Sequence, residues 1–279
     1  MLRRAAKIAL LPHGALFRDR RPGLVILIYH RVGGGTTSEI DLPVGLFERQ
    51  MAYLRHHARV VALDAALDGS LQDAAGGPRD AVAVTFDDGS RDLYDWAFPV
   101  LLRYRIPATV FLVTRHIESQ TPFDFGAYAR SPRPPAPLTW GQVREMAASG
   151  LVTIGGHTHG HVDLTRVSDA EARDEVERCA ALIADRVGRP PTHFAYPWGR
   201  LSPRARAVVG ERFRTASRGG SAKNPFGRLD LLGLWRRPVQ QSDGFWLFTL
   251  KVRSYLDGEE VLRDLVSSRR QAGRAAELA

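Results

Sequence analysis

Four short apolar runs punctuate the chain, at positions 24–29, 81–86, 151–156 and 192–196. The first two are unbroken and rich in Val, Ile and Leu or in Val, Thr and Phe, the composition of strands buried on both faces. Between the runs lie longer stretches with helical spacing of apolar positions, at 43–58, 92–105, 139–149, 168–187 and 202–212. Thr139 with Gln142, and Ser168 with Glu171, have capping-box spacing, and Ser202-Pro203 places proline in the first helical position. Strands alternating with helices predict an α/β fold with a parallel sheet.

What ends each strand matters more than the strands themselves. The run at 81–86 stops at Asp87-Asp88-Gly89, and the run at 151–156 stops at His157-Thr158-His159-Gly160-His161. The run at 24–29 ends at His30, and the one at 192–196 ends at Pro197-Trp198-Gly199. An Asp-Asp-Gly after a strand is ordinarily a turn. Right-handed crossovers, however, bring the C-terminal ends of parallel strands to one side, which in a (β/α) barrel is the catalytic side. Asp87, Asp88, His157, His161 and Trp198 are therefore expected to converge.

Thr85-Phe86-Asp87-Asp88-Gly89, His157-Thr158-x-x-His161 and Phe194-Ala195-Tyr196-Pro197-Trp198-Gly199 resemble the first three motifs of the NodB-homology polysaccharide deacetylases. The likeness runs in order from about Leu24 to Val239, and Tyr29-His30-Arg31-Val32 is similar to the start of one branch. It implies a distorted (β/α) barrel as a single catalytic domain over 24–256, with a basic extension at 1–23 and a helical tail at 257–279. It implies a hydrolase that removes N-acetyl groups from a sugar or polysaccharide, such as one made for the cell surface. It also implies a divalent metal, zinc first and Co2+, Ni2+ or Mn2+ as alternatives, held by Asp88, His157 and His161.

An oxygen and two imidazole nitrogens leave a position open for water, as in catalytic zinc sites. By the resemblance Asp87 is the general base, and a backbone N–H at Trp198 stabilises the oxyanion. Tyr196, Pro197, Trp198, Arg200 and His159 are the expected substrate-binding residues, with His159 as a third metal ligand the minor alternative.

The chain departs from the family twice. The arginine that commonly braces the catalytic aspartate aligns with Ala195, which leaves Arg200 or Arg237 as candidates for that task. The histidine that protonates the leaving amine is missing, since no histidine follows His193. His30 is the first replacement, with a bond to barrel backbone as its competing role, and His159 the second.

Net charge is +9, and only Lys7, Lys223 and Lys251 of the 39 cationic residues are lysines. That balance fits a phosphate-bearing sugar or peripheral contact with an anionic membrane, or simply base composition. No nucleic-acid-binding signature accompanies it. The segment at 2–17 reads as a short basic amphipathic helix rather than a signal peptide, and no apolar run reaches membrane-spanning length. Together with a lone Cys179, these features set the expectation of a cytoplasmic protein, with peripheral membrane contact as the variant of that reading, of unspecified oligomeric state. Two other readings stay open: hydrolysis of a different amide, as in deformylation, and noncatalytic binding of a carbohydrate or lipid carrier with the metal site retained.

Overall fold

The computed structural model describes residues 19–67, 80–131 and 134–256, together with Ile8 and Leu71. The segments at 2–17 and 257–279 thus lie outside the described residues, apart from Ile8. Parallel strands β1 (Gly23–Tyr29), β2 (Ala81–Phe86), β3 (Ala108–Leu112), β4 (Val152–Gly156), β5 (His193–Ala195), β6 (Thr215–Gly219) and β7 (Leu234–Pro238) pair in sequence order. β7 then pairs with β1, Ile26 opposite Arg236, and closes the ring. The result is the expected (β/α) barrel, built on seven strands.

Alternation along the strands sorts the core into layers. Leu24, Ile26, Ala81, Ala83, Phe111, Ala195 and Leu234 fill the barrel. Val25, Leu27, Tyr29, Val82, Val84 and Phe86 face outward against the helices. The interior is so tight at Gly155 that a Cβ there would come within 2.6 Å of the Phe111 ring. Leu63, Ala66 and Leu71 plug the end away from the site.

Outside the barrel run α1 (Val44–His57), α2 (Phe98–Tyr104), α3 (Thr114–Ser119), α4 (Trp140–Ala148), α5 (Asp169–Val187), α6 (Pro203–Gly210) and α7 (Gly244–Val252). Thr139 Oγ1 accepts the Gln142 N–H while Gln142 Oε1 accepts the Thr139 N–H, a complete capping box. Ser168 and Ser202 each cap their helix through the side-chain oxygen. Cys179 on α5 is buried against the barrel, and burial pushes its thiol up to about 12. No described helix is long and apolar enough to cross a membrane.

Candidate active site

Because 81, 83, 85 and 87 share the inward parity of β2, Asp87 points into the mouth of the barrel. Arg236 has the same parity on β7 and reaches it through the interior. Its guanidinium donates to both Asp87 oxygens, at 2.6 and 2.9 Å, and to Thr85 Oγ1 at 3.1 Å. Both side chains are buried. Burial alone would push the Asp87 carboxyl up, but the Arg236 guanidinium, followed by His157 and His30, outweighs it and holds the group at about 2.

Arg236 therefore takes the bracing position that the sequence assigned to Arg200 or Arg237. One step along β7 reverses a side chain's direction, so Arg237 points out of the barrel and donates to the Lys251 carbonyl and Ser254 Oγ. Arg200 pairs with Asp163 at 2.5 Å.

Asp88 follows immediately but with φ of 73°, a left-handed turn that swings its carboxylate away from its neighbour's. The structure brings it to His157 and His161, with each Nε2 3.6 Å from Asp88 Oδ1. Asp88 Oδ2 accepts the Tyr128 hydroxyl at 2.8 Å, whereas Oδ1 is buried without a hydrogen-bond partner among the described residues. His157 Nδ1 donates to the Ala195 carbonyl at 2.7 Å, which turns Nε2 toward Oδ1. Burial, followed by the charge of His157, pushes the His161 imidazole down to about 2, so it stays neutral.

A buried carboxylate oxygen lacking a donor, with two imidazole nitrogens turned toward it, is a donor set suited to a divalent cation. The ligand atoms of the three residues lie within 4.8 Å of one another. The middle histidine is outside this group. The Nδ1 of His159 pairs with Thr114 Oγ1 at 3.0 Å, because the extended run that would align 157, 159 and 161 is broken by left-handed turns at Thr158 and His161.

The pair and the triad open onto a cavity of about 270 Å³. His30, Ile40, Phe125, Trp198, Gly219 and Pro238 help line it. Phe125 stacks on His161 with centroids 3.8 Å apart, and Trp198 meets the same imidazole edge-on at 4.8 Å. Trp198 is left-handed, with φ of 60°, and is 50% exposed. The following Gly199 has φ of 66° and passes so close to Gly219 that an added Cβ would sit 2.6 Å from its Cα.

Tyr196 and Pro197, expected at the substrate, are buried away from the cavity. Tyr196 lies in the apolar layer under α5 and α6 and donates its hydroxyl to the Leu232 carbonyl. Of the five residues expected to bind substrate, only Trp198 lines the cavity, and His30 lies on its wall.

Four of the seven non-glycine residues with positive φ among the described residues, Asp88, Thr158, His161 and Trp198, gather at this site. Each left-handed L-residue costs about 1–2 kcal/mol, so the surrounding fold must hold them in place. The sequence carried no sign of Tyr128 or Phe125, which come from a loop, and Arg236 was hidden in a strand that did not look like one.

A family model described as polysaccharide deacetylase matches residues 74–212, which contain the whole of this constellation except His30, Arg236 and parts of the cavity wall. The chain belongs to the polysaccharide deacetylase family. A poly-beta-1,6-N-acetyl-D-glucosamine N-deacetylase of Staphylococcus epidermidis is 27% identical over 165 residues, covering 56% of this chain and 53% of the relative. The chain thus spans about half the length of the curated relatives it matches. Among solved structures, this family member is similar to the Streptococcus pyogenes deacetylase PplD, with a TM-score of 0.70 and 20% identity over 83% of this chain and 99% of that one. It is also similar to IcaB from Ammonifex degensii, with a TM-score of 0.68 and 25% identity over 84% of this chain and 97% of that one.

Proposed function

We propose that the protein is a metal-dependent hydrolase that removes N-acetyl groups from a polysaccharide of N-acetylated sugars. The observation that carries this reading is the Arg236-held Asp87 carboxylate beside the buried cluster of Asp88, His157 and His161, at the floor of one cavity. The Staphylococcus relative, named for an N-acetylglucosamine polymer, supports the substrate class.

Asp88, His157 and His161 would hold the cation, zinc being the first candidate for one carboxylate and two imidazoles. When bound, it supplies Lewis acidity at the acyl oxygen and lowers the pKa of a water. Asp87, kept ionised by Arg236, accepts the proton of the water attacking the acetamide carbon. The Trp198 backbone N–H donates to the developing oxyanion. As the C–N bond breaks, the leaving nitrogen needs a proton, and the His30 imidazole, on the cavity wall and outside the metal triad, supplies it. Acetate and a free amine are the products. A site that only bound sugar would have no use for a buried carboxylate pinned by two charge-assisted hydrogen bonds, which favours a base over a relic.

Acetate release from poly- and oligo-N-acetylglucosamine tests the reading, with wild type and Asp87→Asn compared before and after chelation and zinc restoration. Zinc-restorable release confined to wild type is expected, with Asp87→Asn down about 10²–10⁴-fold. Equal release by both proteins would remove Asp87 as the base.

A further inference from the structure

Trp96 is 50% exposed, the same as Trp198. Both indoles are seated against a glycine with a positive φ. A Cβ on Gly126 would approach the Trp198 ring at 3.3 Å, and one on Gly33 would come within 2.7 Å of Trp96 Cδ1. Gly33 therefore has no room for a side chain, and the backbone there serves as a rigid back to the Trp96 indole, with Val44 closing its side.

The ledge that carries Gly33 leads directly from the cavity. His30, on the cavity wall, is three residues earlier, and three residues of backbone span at most about 10–11 Å. Arg31–Val32 pairs with Asp41–Leu42 in a small two-stranded sheet, next to Ile40, which also lines the cavity. Buried Arg31 donates to Asp92 at 2.5 Å and lies 4.0 Å from Asp41, tying this ledge to the segment that bears Trp96. Asp41 in turn accepts the N–H groups of Gly34 and Thr36. A half-exposed tryptophan in such a frame loses little freedom on binding a ligand.

Trp198 follows β5, and Trp96 follows β2 while leaning on the ledge after β1. β5 and β2 are three strands apart one way round the ring and four the other, so the two indoles follow opposite sides of the barrel, and Asp87 and Asp88, which end β2, line the cavity from the Trp96 side. Sugar rings present apolar C–H faces that stack on aromatic rings, and Trp96 lies outside the cavity lining to which Trp198 belongs.

We propose that Trp96 is a distal sugar-binding platform, so that a polymeric substrate lies across the mouth from Trp198 over the catalytic carboxylates to Trp96. The proposal rests on the hydrolase reading of the same cavity, and it makes this chain a selector for oligomers over single sugars.

N-Acetylglucosamine oligomers of one to six units, β-1,6- and β-1,4-linked, provide the probe. Their binding is measured by calorimetry to zinc-loaded Asp87→Asn, and their turnover with the wild type. Affinity is expected to rise with length, and Trp96→Ala in the Asp87→Asn background should reduce the gain from dimer to hexamer by about tenfold, the scale of one aromatic contact. Gly33→Ala, which displaces the indole without removing it, should reduce the same gain. Length-dependent binding that is lost with Trp96 but accompanied by no acetate release would sink the hydrolase reading and leave the platform standing. A gain with length that is equal with and without Trp96, or no gain in either linkage series, overturns the platform.

Discussion

Arg236 on the last strand of the barrel holds both oxygens of Asp87 at the end of the second, through the interior of the ring and 149 positions away along the chain. In the wild type this pair stabilises the fold above the unfolded carboxylate pKa of about 4. That contribution is lost as pH falls toward the folded value of about 2. Replacing Arg236 with Met leaves burial, which raises the Asp87 pKa, without its chief counterweight. The acidic limb of the kcat/KM profile should then move up by about 1–3 pH units, and unfolding should become easier by about 3–5 kcal/mol. An unmoved acidic limb in a folded Arg236→Met protein would show that Asp87 is not the group whose ionisation governs turnover.

Tyr128 donates to the Asp88 oxygen that does not face the histidines. Groups that orient a ligating carboxylate in this way are typically worth about 10–100-fold in metal affinity. Tyr128→Phe should weaken zinc binding by that factor in a competition titration, with little change in the fold, because the ring also packs on Phe123 and Phe125. Unchanged affinity would assign the hydroxyl to packing alone.

If His30 protonates the leaving nitrogen, its loss should matter only where a proton is needed. His30→Gln is expected to lower acetamide hydrolysis by about 10²–10⁴-fold while sparing an aryl acetate, whose leaving group departs without protonation. Parallel losses on both substrates would point to a binding or structural role for the ring.

Gly199 and Gly219 touch backbone to backbone beside the cavity. Gly199→Ala combines a left-handed φ with a 2.6 Å clash, so it should cost more than the roughly 1–2 kcal/mol of the φ penalty alone. It should also displace Trp198. Denaturant midpoints and intrinsic tryptophan fluorescence read the two effects separately.

The strands β1, β2, β4 and β5 were legible because their buried faces leave nearly continuous apolar runs, and the aspartates and outer histidines were legible because they sit where those runs stop. Helix starts were legible at Thr139, Ser168 and Ser202, where capping chemistry is local. β6 and β7 were not. Thr215-Ala216-Ser217-Arg218-Gly219 and Leu234-Trp235-Arg236-Arg237-Pro238 spend buried positions on polar groups, Thr215 paired with His193 and Arg236 with Asp87, and this erases the apolar signature of a buried strand. Without β7 there was no parity with which to choose between Arg236 and Arg237. His159 and Tyr196 were misplaced for a related reason: backbone turns at Thr158 and the burial of Tyr196 beneath α6 depend on packing that no local pattern records.

The ring closes only when β7 docks between β6 and β1, and the same docking delivers Arg236 to Asp87. On a ribosome adding ~5–20 residues per second, Asp87 waits about 7–30 s for its counter-ion after it has itself been made. Until then the nascent chain carries an acid destined for burial with nothing to neutralise it. Completion of the barrel and fixing of the base are one event, so a product truncated before β7 would lack the guanidinium that pins Asp87 as well as the closed wall.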